Sequence, residues 1–227
     1  MGSIVEFPSN GSTARGYFAP AEGGGPGIVV IQEWWGLVPH IREVCDRFAA
    51  AGFSALAPDL YHGETTTEPD EAGKLMMALN VGQAVKDMAG AISFLQADGQ
   101  VTSEKVGVIG FCMGGGLALV LAAERNDAIG ACAPFYGLIP WEGAQPDWNA
   151  VKAPVRGHFA ELDGFFGPEQ ARGLEESLRN AGVDAQIEIH PGVEHAFFND
   201  HRPEVYNAEA SQTAWDATTE FFRSTLG

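Results

Sequence analysis

Gly110-Phe111-Cys112-Met113-Gly114 is the stretch of this sequence best suited to covalent chemistry. Before it runs Lys105-Val106-Gly107-Val108-Ile109, a short β-branched strand. Behind Gly115 and Gly116 comes Leu117-Ala118-Leu119-Val120-Leu121-Ala122-Ala123, an apolar helix. A strand, one sharp turn and a buried helix form an elbow, G-x-C-x-G in place of G-x-S-x-G. Gly110 and Gly114 let two backbones approach where a Cβ would clash, which leaves Cys112 at the tip of the turn. There, free N–H groups and the helix dipole favour a thiolate. A cysteine nucleophile needs a base for its proton and a third group to orient that base. After the elbow, the strand Val155–Phe159 is followed by Glu161 and Asp163, and the strand ending at His190 leads on to His195. Cys112, Asp163 and His195 therefore occur in the order nucleophile, acid, histidine, each just after a strand. Glu161 competes for the acid's role; Asp163 is preferred because glycine follows it in the loop.

A thiol attacking a carbonyl also needs donors for the oxyanion. The N–H after the nucleophile and one from the loop after the third strand name the backbones of Met113 and Trp34. Glu33 then becomes a carboxylate beside the thiol, expected to hydrogen-bond it and govern when a thiolate forms. Its plainer reading is a surface charge. His190 and His201 flank His195, but no Cys pair or helical H-E-x-x-H accompanies them. No metal is expected, and no cofactor.

The elements that must position these residues alternate along the chain. Short strands at Ile4–Phe7 and Gly16–Phe18 flank a turn, and Gly27–Gln32 is a continuous apolar strand of the kind buried in a parallel sheet. A helix is expected over Ile41–Ala51, a strand over Phe53–Ala57, a loop or lid over Leu60–Pro69, and helices over Glu71–Leu79 and Val81–Gln96. After the elbow come a strand at Gly130–Phe135 and a Pro- and Trp-rich loop from Leu138 to Trp148. A strand at Val155–Phe159, a helix at Pro168–Asn180, a strand at Ala185–His190 and a closing helix from about Glu204 to Leu226 complete the chain. In that last helix Ala208, Trp215 and Phe222 share one face. Alternation of this kind predicts an α/β fold, a mostly parallel central sheet flanked by helices on both faces, as a single domain over 1–227.

Composition narrows the partners. The 227 residues carry 30 acidic and 13 basic side chains, a formal charge of −17, which disfavours nucleic acid and anionic membranes. No apolar run approaches the roughly 18 residues of a membrane helix. Met1–Glu6 lacks the blocks of a signal peptide, and three cysteines without short-range pairing fit a reducing cytoplasm. Cys45 and Cys132 read as buried small hydrophobes.

The whole chain resembles the dienelactone hydrolase family of the α/β-hydrolase superfamily. The matching pieces are Gln32-Glu33-Trp34-Trp35-Gly36, Ala57-Pro58-Asp59-Leu60-Tyr61, Gly110 to Gly115, Asp163, His195-Ala196-Phe197, and the segment from Asn199 to Trp215. The resemblance implies opening of 4-carboxymethylenebut-2-en-4-olide to maleylacetate through a thiol acyl-enzyme. Cys112 would be the nucleophile, His195 the base and then the acid, Asp163 its orienter and Glu33 the modulator of the thiol. Trp35, Tyr136, Phe197 and Asn199 are the expected substrate contacts, and a monomer or homodimer the expected state. One departure concerns the two arginines with which such enzymes hold the substrate carboxylate. Asn199 stands at one position, and no arginine occurs between Arg47 and Arg125. Lys74 and Arg202 are the remaining cations to consider. The competing readings are an idle binding or regulatory relative and a redox-responsive thiol protein.

Overall fold

A computed structural model describes residues 1–137 and 139–227. Leu138, where the Pro- and Trp-rich loop was expected to begin, lies outside the described residues. Eight strands form one sheet: β1 (Ser3–Ser9), β2 (Ser12–Ala19), β3 (Gly27–Ile31), β4 (Ser54–Pro58), β5 (Val106–Phe111), β6 (Ile129–Phe135), β7 (Val155–Ala160) and β8 (Ala185–His190). Their spatial order is β1-β2-β4-β3-β5-β6-β7-β8. The first two make an antiparallel hairpin at one edge, β2 runs antiparallel to β4, and the remaining pairs are parallel.

Six α-helices accompany the sheet: α1 (Pro39–Ala50), α2 (Pro69–Ala78), α3 (Val81–Ala97), α4 (Met113–Glu124), α5 (Pro168–Asn180) and α6 (Ala208–Leu226). Phe48 of α1 packs on Trp215 and Phe222 of α6, at ring separations of 4.6 and 6.0 Å. Helices α3 and α4 pack against each other and against the sheet. Strand β3 (GIVVI) touches α1, α3 and α4 and is buried at every position, as a strand covered on both faces must be.

Four helix starts differ from the sequence reading, those of α1 and α2 by two residues each, where a proline opens the helix, and those of α4 and α6 by about four. Helix α4 begins at Met113, not Leu117, so its three glycines form its first turn. Their intrinsic cost in a helix is offset by close packing. A Cβ on Gly115 would sit 2.6 Å from the Cα of Gly137, and one on Gly114 2.5 Å from the Ile31 carbonyl oxygen. Helix α6 begins at Ala208, not near Glu204, because the Asn207 side chain caps it by accepting the Ala210 N–H at 2.9 Å. Ala208 is exposed, and the buried face runs through Ser211, Ala214, Thr218 and Phe222. The loop after β6 carries two short 3₁₀ turns, Glu142–Ala144 and Trp148–Ala150. Among the described residues no helix is long and apolar enough to cross a membrane.

Candidate active site

Because β3, β5, β7 and β8 run parallel, the loops that follow them emerge at one edge of the sheet. Those loops carry Glu33, Cys112, Asp163 and His195, residues spread over more than two thirds of the sequence.

Cys112 follows β5 directly, with φ 55° and ψ −120°, a conformation that L-residues adopt only where the surroundings enforce it. Here Gly110 packs without a Cβ on the Gly114 carbonyl, and the Cys112 N–H donates to the Phe135 carbonyl at 3.1 Å. Cys112 is 8% exposed, largely screened from bulk water, whereas the other two cysteines have no exposure at all. Cys45 and Cys132 are fully buried, and burial pushes both thiols far up.

His195 Nδ1 lies 2.6 Å from Asp163 Oδ2. The other oxygen, Oδ1, accepts the N–H groups of Phe165 and Phe166 at 2.7 and 2.9 Å, which fixes the carboxylate. Burial favours neutral Asp163, but the hydrogen bond and charge of His195 and those two N–H groups prevail and hold it below the ordinary carboxylate range. Burial likewise opposes charge on His195. The Asp163 bond, and then hydrogen bonding and charge from Cys112, outweigh it and raise the imidazole to about 10. Among the described residues the hydrogen bond of the His195 ring is the one to Asp163. Glu161 is turned away, accepting the Gly192 N–H at 2.8 Å.

The N–H groups of Met113 and Trp34 donate to no acceptor among the described residues. Glu33 is buried; its Oε2 accepts from Asn199 Nδ2 at 2.7 Å and its Oε1 has no partner among the described residues. No hydrogen bond joins it to Cys112 among the described residues, in contrast to the expectation from sequence. The Asn199 amide donates to Glu33 and its carbonyl accepts the His201 N–H at 3.0 Å, so the side chain is anchored at both ends while one N–H and one lone pair stay available.

Tyr136 and Phe197 are fully buried, their rings 5.5 Å apart, and Tyr136 lies edge-on to His195 at 5.0 Å. The Tyr136 hydroxyl has no partner among the described residues, and burial first, then the charges of Glu33 and Cys112, push it well above the usual phenol range. Trp35 lines a cavity of about 560 Å³ with Thr66, Asn199 and Arg202. Arg202 stands over the Trp35 ring at 5.8 Å, but its Nε donates to Glu204 at 2.8 Å. Lys74 is exposed and bonded to Glu71 at 2.7 Å.

Two residues of this neighbourhood carried no role in the sequence reading. Tyr61 donates to the Met113 sulfur at 3.3 Å and feels the charge of Cys112. The only signal for it was its place in the Pro58-Asp59-Leu60-Tyr61 run. Phe165 is 67% exposed with its ring 5.4 Å from His195, and nothing in the sequence separated it from an ordinary loop residue. Neither of the two His/carboxylate clusters among the described residues includes Cys112, Asp163 or His195.

Comparison with known proteins gives a consistent answer. The profile of the dienelactone hydrolase family matches residues 14–226. "Protein usf" of Aquifex pyrophilus is 40% identical, and a putative carboxymethylenebutenolidase of Aquifex aeolicus 36% identical, each over the whole of both chains. A putative dienelactone hydrolase from Klebsiella pneumoniae superposes with a TM-score of 0.87 at 26% identity, over 98% of each chain.

Proposed function

We propose that this chain, which belongs to the dienelactone hydrolase family, hydrolyses small lactones and activated esters through a thioester on Cys112. The observation that supports the reading is the 2.6 Å His195–Asp163 pair, together with a Cys112 strained into positive φ at the head of α4. With His195 raised to about 10, Nε2 holds the proton taken from the thiol and the thiolate Sγ attacks the carbonyl carbon, while the Asp163 bond to Nδ1–H orients the ring. The oxyanion accepts the free N–H groups of Met113 and Trp34, each worth on the order of 10²–10³ in rate. Collapse breaks the ester C–O bond, and the imidazolium protonates the departing oxygen. A water activated by the same histidine then cleaves the thioester, releasing the acid and restoring the thiol.

Glu33 acts as a positioning residue in this scheme. Asn199 locks one oxygen, and the free Oε1 is the acceptor available to the thiol proton when Cys112 is at rest. Dienelactone, by family membership, is the first substrate to try. Among the described residues Arg202 is the one Lys or Arg lining the Trp35 cavity, and it is paired with Glu204, which favours neutral lactones and esters.

Hydrolysis of p-nitrophenyl acetate by wild type and by Cys112→Ala tests the reading. The variant should fold normally and lose on the order of 10³-fold or more of the activity. Full activity in the variant would leave either a non-catalytic thiol or another nucleophile.

A further inference from the structure

We propose that His158, Glu188 and His190 form a binding site for a borderline transition-metal ion, zinc foremost, on the β7–β8 side of the sheet. Strand pairing builds it. The register sets His158 opposite Glu188, and the period of two puts His190 on the same face. His158 Nδ1 and His190 Nε2 lie 3.0 Å apart, Glu188 Oε2 is 3.7 Å from His158 Nδ1, and all three ligand atoms fall within 4.8 Å of one another.

The chemistry of the set suits zinc. Two imidazole nitrogens and a carboxylate are its usual ligands, and such a set is poorly matched to magnesium or calcium, which prefer oxygen alone. Ligand nitrogens at about 2.0–2.1 Å in tetrahedral geometry stand about 3.3 Å apart, so the observed pair needs to open by only a few tenths of an ångström. Both rings are buried, held in place by the strands that carry them, and neutral imidazole is the form that binds metal. Two neutral rings facing through nitrogen share one N–H. When a metal takes that place, the donating ring moves its proton to its other nitrogen, so no proton need leave the pair, and Glu188 offsets one of the two positive charges of the ion.

Access and adjustment come from Glu188. Its side chain is 47% exposed, and together with His158 it lines a cavity of about 370 Å³ beside α6. A swing of this carboxylate closes the third bond, and a water from the cavity fills the fourth position.

The site also adjoins the hydrolytic machinery. The His158 ring packs on Phe135 and the His190 ring on Phe197, each at 4.9 Å, and the His158 carbonyl accepts the Tyr136 N–H at 2.8 Å. A metal there would stiffen the frame behind Tyr136 and His195 without touching the reacting atoms. Sequence spacing hides the set, because His158 and His190 are 32 residues apart and meet only through strand pairing.

Zinc titration by calorimetry tests the proposal, run on the full-length Cys112→Ala protein so that no reactive thiol competes. One equivalent should bind and raise the melting temperature, and magnesium should do neither. Glu188→Gln, an exposed change compatible with folding, should weaken zinc binding about tenfold or more, within the range for altering a metal site. His158→Gln and His190→Gln should abolish the one-equivalent binding, with circular dichroism confirming the fold. Absence of stoichiometric binding overturns the proposal. So does binding that survives Glu188→Gln unchanged, or that is lost instead in His201→Asn, which would place the ion at the exposed Glu43, Asp200 and His201.

Discussion

His195 is charged or neutral according to its two neighbours, and that makes it the most informative single residue. Asp163 and Cys112 both raise it against the opposing effect of burial, to about 10. Removing either neighbour should therefore lower it. A histidine NMR titration should show His195 titrating at lower pH in Asp163→Asn and in Cys112→Ala than in wild type, and unchanged in Glu161→Gln, whose carboxylate bonds Gly192. Movement in Glu161→Gln alone would reverse the assignment of the acid. The same shifts set a stability window. A raised histidine stabilises the fold fully below about 6.5, its unfolded value, and that contribution is lost as pH rises through about 10. A depressed Asp163 stabilises above its unfolded value and loses its contribution as pH falls through the ordinary carboxylate range and below.

At the scale of elements, the elbow depends on α4 lying almost in contact with β3. Gly114→Ala puts a methyl group 2.5 Å from the Ile31 carbonyl oxygen, where backbone rather than a flexible side chain must move. The expected cost is about 1–3 kcal/mol, seen as a lower urea midpoint with unchanged slope, together with lost esterase activity from a displaced Cys112. Element type was legible in the sequence because strands such as β3 are uniformly apolar and α5 is framed by Pro168 and Asn180. So was the order of Cys112, Asp163 and His195, since each lies in the loop or turn that follows a strand. The start of α4 was not, because Gly114, Gly115 and Gly116 read locally as a turn and only contact with β3 and Gly137 makes them helical. Nor was Asn199's bond to Glu33, which joins residues 166 apart. Such contacts are set by how loops converge at the sheet edge, and periodicity carries no trace of them.

The whole molecule carries a charge of −17, so a carboxylate substrate meets a repulsive field unless a directed cation offsets it. Lys74 is bonded to Glu71 at the surface, and Arg202 in the Trp35 cavity is bonded to Glu204. Neutral lactones and short activated esters should accordingly be turned over at least as well as free dienelactone. Dienelactone and its methyl ester give the direct comparison, because they differ only in that charge. An unopposed arginine contact would contribute about 1.5–3 kcal/mol, or roughly 10- to 150-fold in kcat/KM. A free acid favoured tenfold or more would mean that Arg202 releases Glu204 to take the substrate.

Across the whole chain three thiols compete for an alkylating agent, and only Cys112 combines partial exposure with a neighbouring imidazole. Treatment with one equivalent of iodoacetamide, followed by peptide mapping and an esterase assay on the same sample, tests the thioester account most directly. The account expects the label on Cys112 ahead of Cys45 and Cys132, with activity falling in proportion to its occupancy. Activity that persists in protein fully labelled at Cys112, or is lost with the label elsewhere, would contradict it.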